Sequence, residues 1–588
     1  MRAATTPSRD PDLIRPMDQR RFIFAIALIT AIIILPSLLM RPPAPVPGAD
    51  SVAVGGDTLA TRVQQPSPAL PAPADTAPAD TARALTAVPE DTVVVSGELF
   101  RYAFSTRGAT MVSATLPQYA KTIPGHKEEP VDLVQPGQPL FGLRLVVGSD
   151  TLSLTDWQFT PSSSEVSAHA EPAVLQMVAE RGGVRVSLGY RFRADNYRME
   201  VDGKVDGLGP NGALLLVGLG QGIPNTEADS AVNFRDMGLV TSRGGTELLR
   251  FQSLDPGEQR ALPGPFDWVA VKSKYFVTAL LALDSARARI SGATARATGS
   301  AEGEPHQAEV RVALPLAAEG SFGWSVYAGP MEYSRLTAVG ADFDDVNPYG
   351  WPGFRTLIRA FAVPVRWLIV WMHQALGLGY GLVLIALGVL VRLVLWPLNQ
   401  KAMRSAMAMQ AIQVPLKEIQ ARHKDNPAKL QQEMMKLYKE HNVNPLGGCV
   451  PMLIPMPVLF ALFFVLQNTI ELRGVPFLWF PDLAQPDPIY VIPVLSGLSM
   501  FGLSKVGQMG VEYTPETRAQ AKMMLYFMPA LITFFGLQFA AGLNLYWFAS
   551  NVASIPQQWM IAKERMKRQP AKAAPAPAAA KPAATGRK

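Results

Sequence analysis

An arginine interrupts one of the most apolar stretches of the chain: Leu387-Gly388-Val389-Leu390-Val391-Arg392-Leu393-Val394-Leu395-Trp396. A charge inside a membrane span costs about 2.5–3.5 kcal/mol on insertion scales, so Arg392 needs a reason to be there. Two readings are open. Arg392 lies about four residues, or roughly 6 Å, from the end of the run, and its guanidinium could snorkel to the headgroups. Alternatively it faces a wet cavity and attracts acidic or polar segments of another chain.

A second polar group stands near the C-terminus, where Asn544, Tyr546, Trp547, Ser550, Asn551, Ser554 and Gln557 fall within one helical pattern. Trp547, Ser550, Ser554 and Gln557 share a face at i, i+3, i+7 and i+10. These residues either glue helices together, at about 0.6 kcal/mol per bond, or line, with Arg392, a hydrophilic recess open to the cytoplasm. A third feature is Lys401–Glu440, two basic helical runs. Asn426-Pro427 supplies a helix start, with Asn as N-cap and Pro at the first position, and Pro415 should break or kink the first run. The segment is either a solvated positive-inside loop or a docking hairpin for lipid headgroups or an incoming chain.

Bond-breaking chemistry has no candidates. There is no P-loop, no HExxH and no G-x-S-x-G elbow. Gly207-Leu208-Gly209-Pro210-Asn211-Gly212 matches G-x-G-x-x-G, but Pro210 and the strand-like run after it deny the required helix, so it reads as a turn. His126, His169 and His306 lack ligand spacing. One Cys and six His exclude a disulfide framework and Cys-rich metal sites. No catalytic residue, cofactor or metal is expected, and the chain does not read as an enzyme.

The elements that must position these residues are mostly apolar. Hydrophobic residues make up 48% of the 588 and charged residues 17%, below the soluble share of about 25%. The net charge of +6 is too small by itself to suggest a nucleic-acid binder. Residues 22–40 form an uncharged run after Arg20-Arg21, read as an uncleaved anchor behind a cytoplasmic N-terminus, 1–21. Further spans are expected at about 376–396, 446–466, 489–505, 523–540 and 542–561, the last two separated by a tight turn near Ala540–Gly542. That makes six transmembrane helices, five of them a core. Eight Lys/Arg in Leu398–Pro445 and eight in the tail 563–588 place both on the cytoplasmic side, with residues about 41–375 outside.

Ten prolines mark 41–90 as an extended linker. From 91 to 340 short alternating runs such as Val184–Phe192 predict an antiparallel all-β sandwich, either a spacer or docking domain or a binder of sugars or peptides. Phe354, Leu357, Ile358, Phe361, Val365, Leu368 and Ile369, with Arg355, Arg359 and Arg366 between them, predict an amphipathic interfacial helix over 352–370.

Val391-Arg392-Leu393 with Trp396-Pro397-Leu398, Met409-Gln410-Ala411-Ile412-Gln413, Leu437-Tyr438-Lys439-Glu440, Asn444-Pro445-Leu446-Gly447-Gly448-Cys449, Met456-Pro457-Val458, Gly542-Leu543-Asn544-Leu545-Tyr546-Trp547 and Gln557-Gln558 resemble the YidC/Oxa/Alb membrane insertase family. Phe104-Ser105-Thr106-Arg107-Gly108, Trp268-Val269-Ala270 with Tyr275-Phe276, and Tyr327-Ala328-Gly329-Pro330 resemble the large periplasmic domain of its Gram-negative bacterial members. The likeness covers nearly the whole chain and is most specific over 350–562, the expected insertase core.

It implies an inner-membrane insertase and chaperone that moves membrane proteins into lipid without ATP, alone or with the Sec translocon. The implied fold is a five-helix core around a polar groove open to cytoplasm and lipid. Arg392 carries over as the groove arginine and Trp547 as its aromatic, with Tyr546 beside it and Ser550 and Ser554 on the same face. The paired cytoplasmic helices carry over to 401–441. Expected partners are nascent clients, the translocon, membrane lipids, and the ribosome through the cytoplasmic loops and basic tail. Three departures stand out: Pro455 near a helix start, Val414-Pro415 after Gln413, and Gly388, where a hydroxyl residue is usual. A secondary transporter would need inverted halves and an intramembrane acid, and the sequence offers neither. An anchored carbohydrate-binding protein would leave the five-span core unexplained.

Overall fold

The computed structural model describes residues 91–568, apart from 170–171, 209–212, 283–288, 299–306, 351–353, 425, 442–455, 512 and 514. The expected N-terminus, anchor and linker, the first ten residues of the span at 446–466 with Pro455, and the tail beyond 568 lie outside the described residues. The chain divides into two units, 1–77 and 78–588, and everything below belongs to the second.

Residues 92–330 build three sheets of five, nine and six strands. Local chemistry sets their register. Gly182 and Gly183, at φ +62° and +80°, make the two-residue turn that pairs Arg181 with Val184, a geometry favouring glycine at both positions. Val186, Leu188, Tyr190 and Phe192 then face inward from Val184–Phe192. At the centre of the nine-stranded sheet the alternation vanishes: every residue of Trp268–Lys272 and Phe276–Leu281 is buried, as in a strand covered on both faces. The architecture is sandwich-like, with a core that includes Phe104, Trp268, Trp324 and Tyr327.

Ten helices are labelled in chain order: α1 (Ser230–Arg235), α2 (Tyr333–Val339), α3 (Arg355–Leu376), α4 (Tyr380–Ala411), α5 (Gln413–Arg422), α6 (Pro427–Glu440), α7 (Met456–Asn468), α8 (Val491–Gln508), α9 (Pro515–Gly536) and α10 (Ala541–Arg568). The apolar core is continuous from the sheets through Ile358 and Ile369 to Val383, Leu387 and Leu543.

One expectation needs correction. Helix α3 runs to Leu376, and its protein-facing side carries an arginine: Ile358, Ala362, Arg366, Ile369 and Met372 are buried, whereas Leu357, Phe361, Trp367 and Trp371 are exposed. Arg366 points inward because Glu471 and Tyr349 receive it there, at 3.0 and 2.7 Å. The break expected from Pro415 is present, at Ile412: a proline cannot bond to the carbonyl four residues back, that of Ala411, where α4 ends, and Pro415 itself sits in the first turn of α5, where its missing N–H costs nothing.

Among the described residues, Tyr380–Ser405 alone is long and apolar enough to cross a membrane; Met456–Asn468 and Ala521–Gly536 are shorter apolar helices. Helices α8 and α10 fall below that standard because of Ser496, Ser499, Lys505, Asn544, Asn551 and Gln557, the same polar residues that make the core chemically interesting.

Candidate functional site

Helices α4 and α10 cross where neither has bulk. A Cβ on Gly388 would stand 3.1 Å from the Tyr546 carbonyl oxygen, 3.2 Å from Ala549 Cβ and 3.2 Å from the Ser550 nitrogen. Gly388 therefore admits the α10 backbone.

One turn further along α4, Arg392 Nε donates to Ser550 Oγ at 2.7 Å. Ser554 Oγ donates back to the Ser550 carbonyl at 2.7 Å, and Gln557 Nε2 donates to the Trp396 carbonyl at 2.9 Å. Tyr546 is buried beside them, 5% exposed. The result is a polar seam about three turns long between α4 and α10. Arg392 itself is half-buried, and the titratable neighbour it faces is the Tyr546 hydroxyl rather than a carboxylate. A guanidinium offers five donors, so one hydroxyl leaves most of its capacity free for an acceptor from elsewhere.

The seam gathers Arg392, Tyr546, Ser550 and Ser554. Trp547 is turned to the adjoining face, its ring edge-on to Phe539 at 5.8 Å, with Phe539 in turn against Phe463 of α7 at 5.6 Å. Beside Arg392, on the flank between α4, α8 and α10, lies an apolar recess of about 620 Å³, lined by Val389, Leu393, Trp479, Leu495 and Val552. Asn551 bridges to α8, Nδ2 lying 3.1 Å from Ser499 Oγ. Asn544 Nδ2 donates to the Gly536 carbonyl at 2.9 Å and closes the turn between α9 and α10.

The charged residues of the loop 469–490, between α7 and α8, play no part in the sequence reading. Arg473 and Glu227 form a buried ion pair at 2.9 Å, and burial raises the Asp482 carboxyl above its ordinary range. Among the described residues no group of His, Cys, Asp and Glu could hold a metal ion. His126 lies at the surface against Glu129, and His169 against Ser167.

Comparison with known proteins adds the following. The YidC periplasmic domain family matches residues 92–364, and the 60Kd inner membrane protein family matches residues 371–569. A membrane protein insertase YidC of Anaeromyxobacter dehalogenans (strain 2CP-C) is 33% identical over 93% of this chain and 98% of its own. Its namesake in Chlorobaculum tepidum is 29% identical over 92% and 94%. Among solved structures, a galactose mutarotase-like protein from Lactobacillus casei ATCC 334 covers 41% of this chain and 100% of its own at 12% identity and TM-score 0.27, too weak a likeness to transfer any chemistry.

Proposed function

This chain belongs to the YidC family of membrane protein insertases, and on that premise we propose that the α4–α10 seam is the wall along which it passes client segments into lipid. The protein is an inner-membrane insertase rather than an enzyme, and its clients are membrane proteins. In this reading it works alone on small clients or beside the Sec translocon. Its six spans leave both termini in the cytoplasm and residues about 41–375 in the periplasm. The hairpin of α5 and α6 and the basic tail meet lipid headgroups and the ribosome.

The observation that carries the reading is Arg392, held at 2.7 Å by Ser550 with no carboxylate partner among the described residues. A client carboxylate brought to about 4 Å gains roughly 4 kcal/mol at an effective dielectric of about 20. That offsets the roughly 2.5–3.5 kcal/mol a charge costs within a span. Ser550 orients Arg392 from within the helix contact, Tyr546 and Ser554 lie buried beside it, and Trp547 presents an aromatic edge on the adjoining face. The net driving force is burial of the client's own apolar surface, about 25 cal/mol per Å².

The test is insertion of a small two-span client into liposomes holding only this protein, scored by protease protection. Arg392→Ala should impair clients with acidic translocated segments several-fold, and Arg392→Lys less. Insertion indifferent to both would demote Arg392 to a snorkelling residue.

A further inference from the structure

Helix α8 is packed on two sides. Toward α9 it presents Gly497, Phe501 and Gln508, spaced at i, i+4 and i+11. A Cβ on Gly497 would fall on Thr533 Oγ1 and within 3.3 Å of the Pro529 carbonyl oxygen. The Phe501 ring lies 5.8 Å from that of Tyr526, and Gln508 Nε2 donates to the Ala521 carbonyl at 3.1 Å. Toward α10, α8 presents Ser496, Ser499 and Gly507. Asn551 Nδ2 donates to Ser499 Oγ at 3.1 Å, and Ser499 Oγ donates in turn to the Ser496 carbonyl at 2.7 Å. A Cβ on Gly507 would stand 3.6 Å from Gln558 Oε1, seven residues beyond Asn551. Helix α9 meets α10 at their connecting turn, where Asn544 bonds to Gly536. Along its length α9 therefore rests on α8, and α8 rests on α10.

Two side chains of α10 tie α8 down. Arg565 Nη1 donates to the carbonyls of Gly507 and Met509 at 2.8 and 3.1 Å, groups that a helix leaves open at its C-terminal end. That guanidinium is long and grips one end only, so it leaves α8 free to turn about its own axis. Asn551 is short and meets α8 near mid-length. A turn of α8 by one residue, about 100°, would carry Ser499 out of its reach. An amide set in a largely apolar helix contact specifies register in this way, at some cost in stability.

We propose that Asn551 is a positioning residue for insertion: its bond to Ser499 fixes the turn of α8 on α10, and through α8 the stance of α9 relative to the Arg392–Ser550 seam. Asn551 follows Ser550 directly, so the seam and the α8 contact are referred to the same stretch of backbone. The exposed face of α9 carries Met523, Phe527 and Phe534, and a twist of α8 would swing that face with it. The proposal rests on the reading of the seam as the insertion site.

The experiment uses the full chain with its single cysteine replaced, Cys449→Ser. The variants are Asn551→Leu, Asn551→Ala, and the swap Asn551→Ser with Ser499→Asn, which rebuilds an amide–hydroxyl pair from the other side. Three quantities are read: a thermal melt, insertion of the two-span client, and the distance between spin labels on Met523→Cys and Met560→Cys, both exposed positions. One hydrogen bond between membrane helices carries about a threefold factor. Leucine regains apolar packing, so Asn551→Leu should melt like the parent. It should nevertheless insert the client several-fold more slowly and broaden the 523–560 distance, and the swap should restore both. If Asn551→Leu keeps the parent's insertion and distance, Asn551 only glues helices and the proposal fails. Either readout moving without the other overturns it too, as does a swap that rescues neither. Should Asn551→Leu not fold, Asn551→Ala decides on the same readouts. Arg392→Ala run alongside separates the two ideas: intact insertion there ends the seam reading, while the 523–560 distance still decides whether Asn551 sets α9.

Discussion

Gly388 allows the seam to be tested by volume rather than charge. With a Cβ at 3.1–3.2 Å from three atoms of α10, alanine needs that helix to retreat by a few tenths of an ångström. The Arg392–Ser550 bond would lengthen from 2.7 Å to about 3.1 Å, still within hydrogen-bonding range. The crowding, under about 1 kcal/mol, is offset by the roughly 1 kcal/mol that alanine gains over glycine in a helix. Gly388→Ala should therefore insert clients nearly as the parent does. Valine adds two γ-carbons at the same place. The helices must part by about 1 Å or more, which stretches the bond beyond about 3.5 Å and costs about 1–3 kcal/mol of overpacking. Gly388→Val should lose most insertion of acidic clients and several degrees of thermal stability. The assay is protease-protected insertion in liposomes, paired with a thermal melt of each variant. A Gly388→Val protein that inserts and melts like the parent would refute the close crossing. Equal loss in Ala and Val, with unchanged melts, would show that something other than separation matters.

Two further outcomes are expected. Lys272, buried in the strand Trp268–Lys272 and bonded to Asn347 Oδ1 at 3.1 Å, has its pKa pushed down to about 8, chiefly by burial, with Asp236 opposing and Arg250 adding to the fall. The unfolded chain therefore holds this proton to higher pH than the native one, so this group's contribution to stability should rise between about pH 8 and 10.5, by at most roughly 3 kcal/mol. Melts at pH 7.5 and 9.5 check this, because Lys272→Met should abolish that gain and be the more stable protein at the lower pH. Removing the basic tail 563–588, with its eight Lys/Arg, should weaken ribosome binding, and the slope of affinity against salt should flatten. Equal affinity and slope with and without the tail would exclude it as a contact.

What was legible in the sequence depended on contrast. Arg392 stands out because its neighbours are apolar, and Ser550 and Ser554 because they recur at helical spacing in an apolar run. Gly388 reads in sequence only as a missing hydroxyl. Its function depends on a helix more than 150 residues later, which no local pattern encodes. The α3 face was legible only in part: Ile358 and Ile369 pack inward as an apolar stripe should, but Arg366 joins them because its partners, Glu471 and Tyr349, lie outside the helix, and Trp367 and Trp371 are left exposed. Arg473 was the hardest to see, since its partner lies 246 positions away in a different kind of domain.

These arginines also bear on Arg392 by comparison. Arg359 has Asp344 at 2.9 Å and Asp345 at 3.3 Å, Arg366 has Glu471 at 3.0 Å, and Arg473 has Glu227 at 2.9 Å. All three join separate elements, which is what a permanent pair does well. Once both charges are matched and buried, removing either is costly and neither can serve a third group. Arg392 is arranged differently. Its fixed partner is a neutral serine hydroxyl, which orients the guanidinium without neutralising it. If the seam is the insertion site as proposed, a carboxylate at that place would close it to clients. Installing one, as in Ser550→Asp, would turn Arg392 into a fourth structural arginine. Under the proposed function the seam would stay polar but lose its pull on an acidic client segment, so the unmatched charge and the serine opposite it are best understood as one feature.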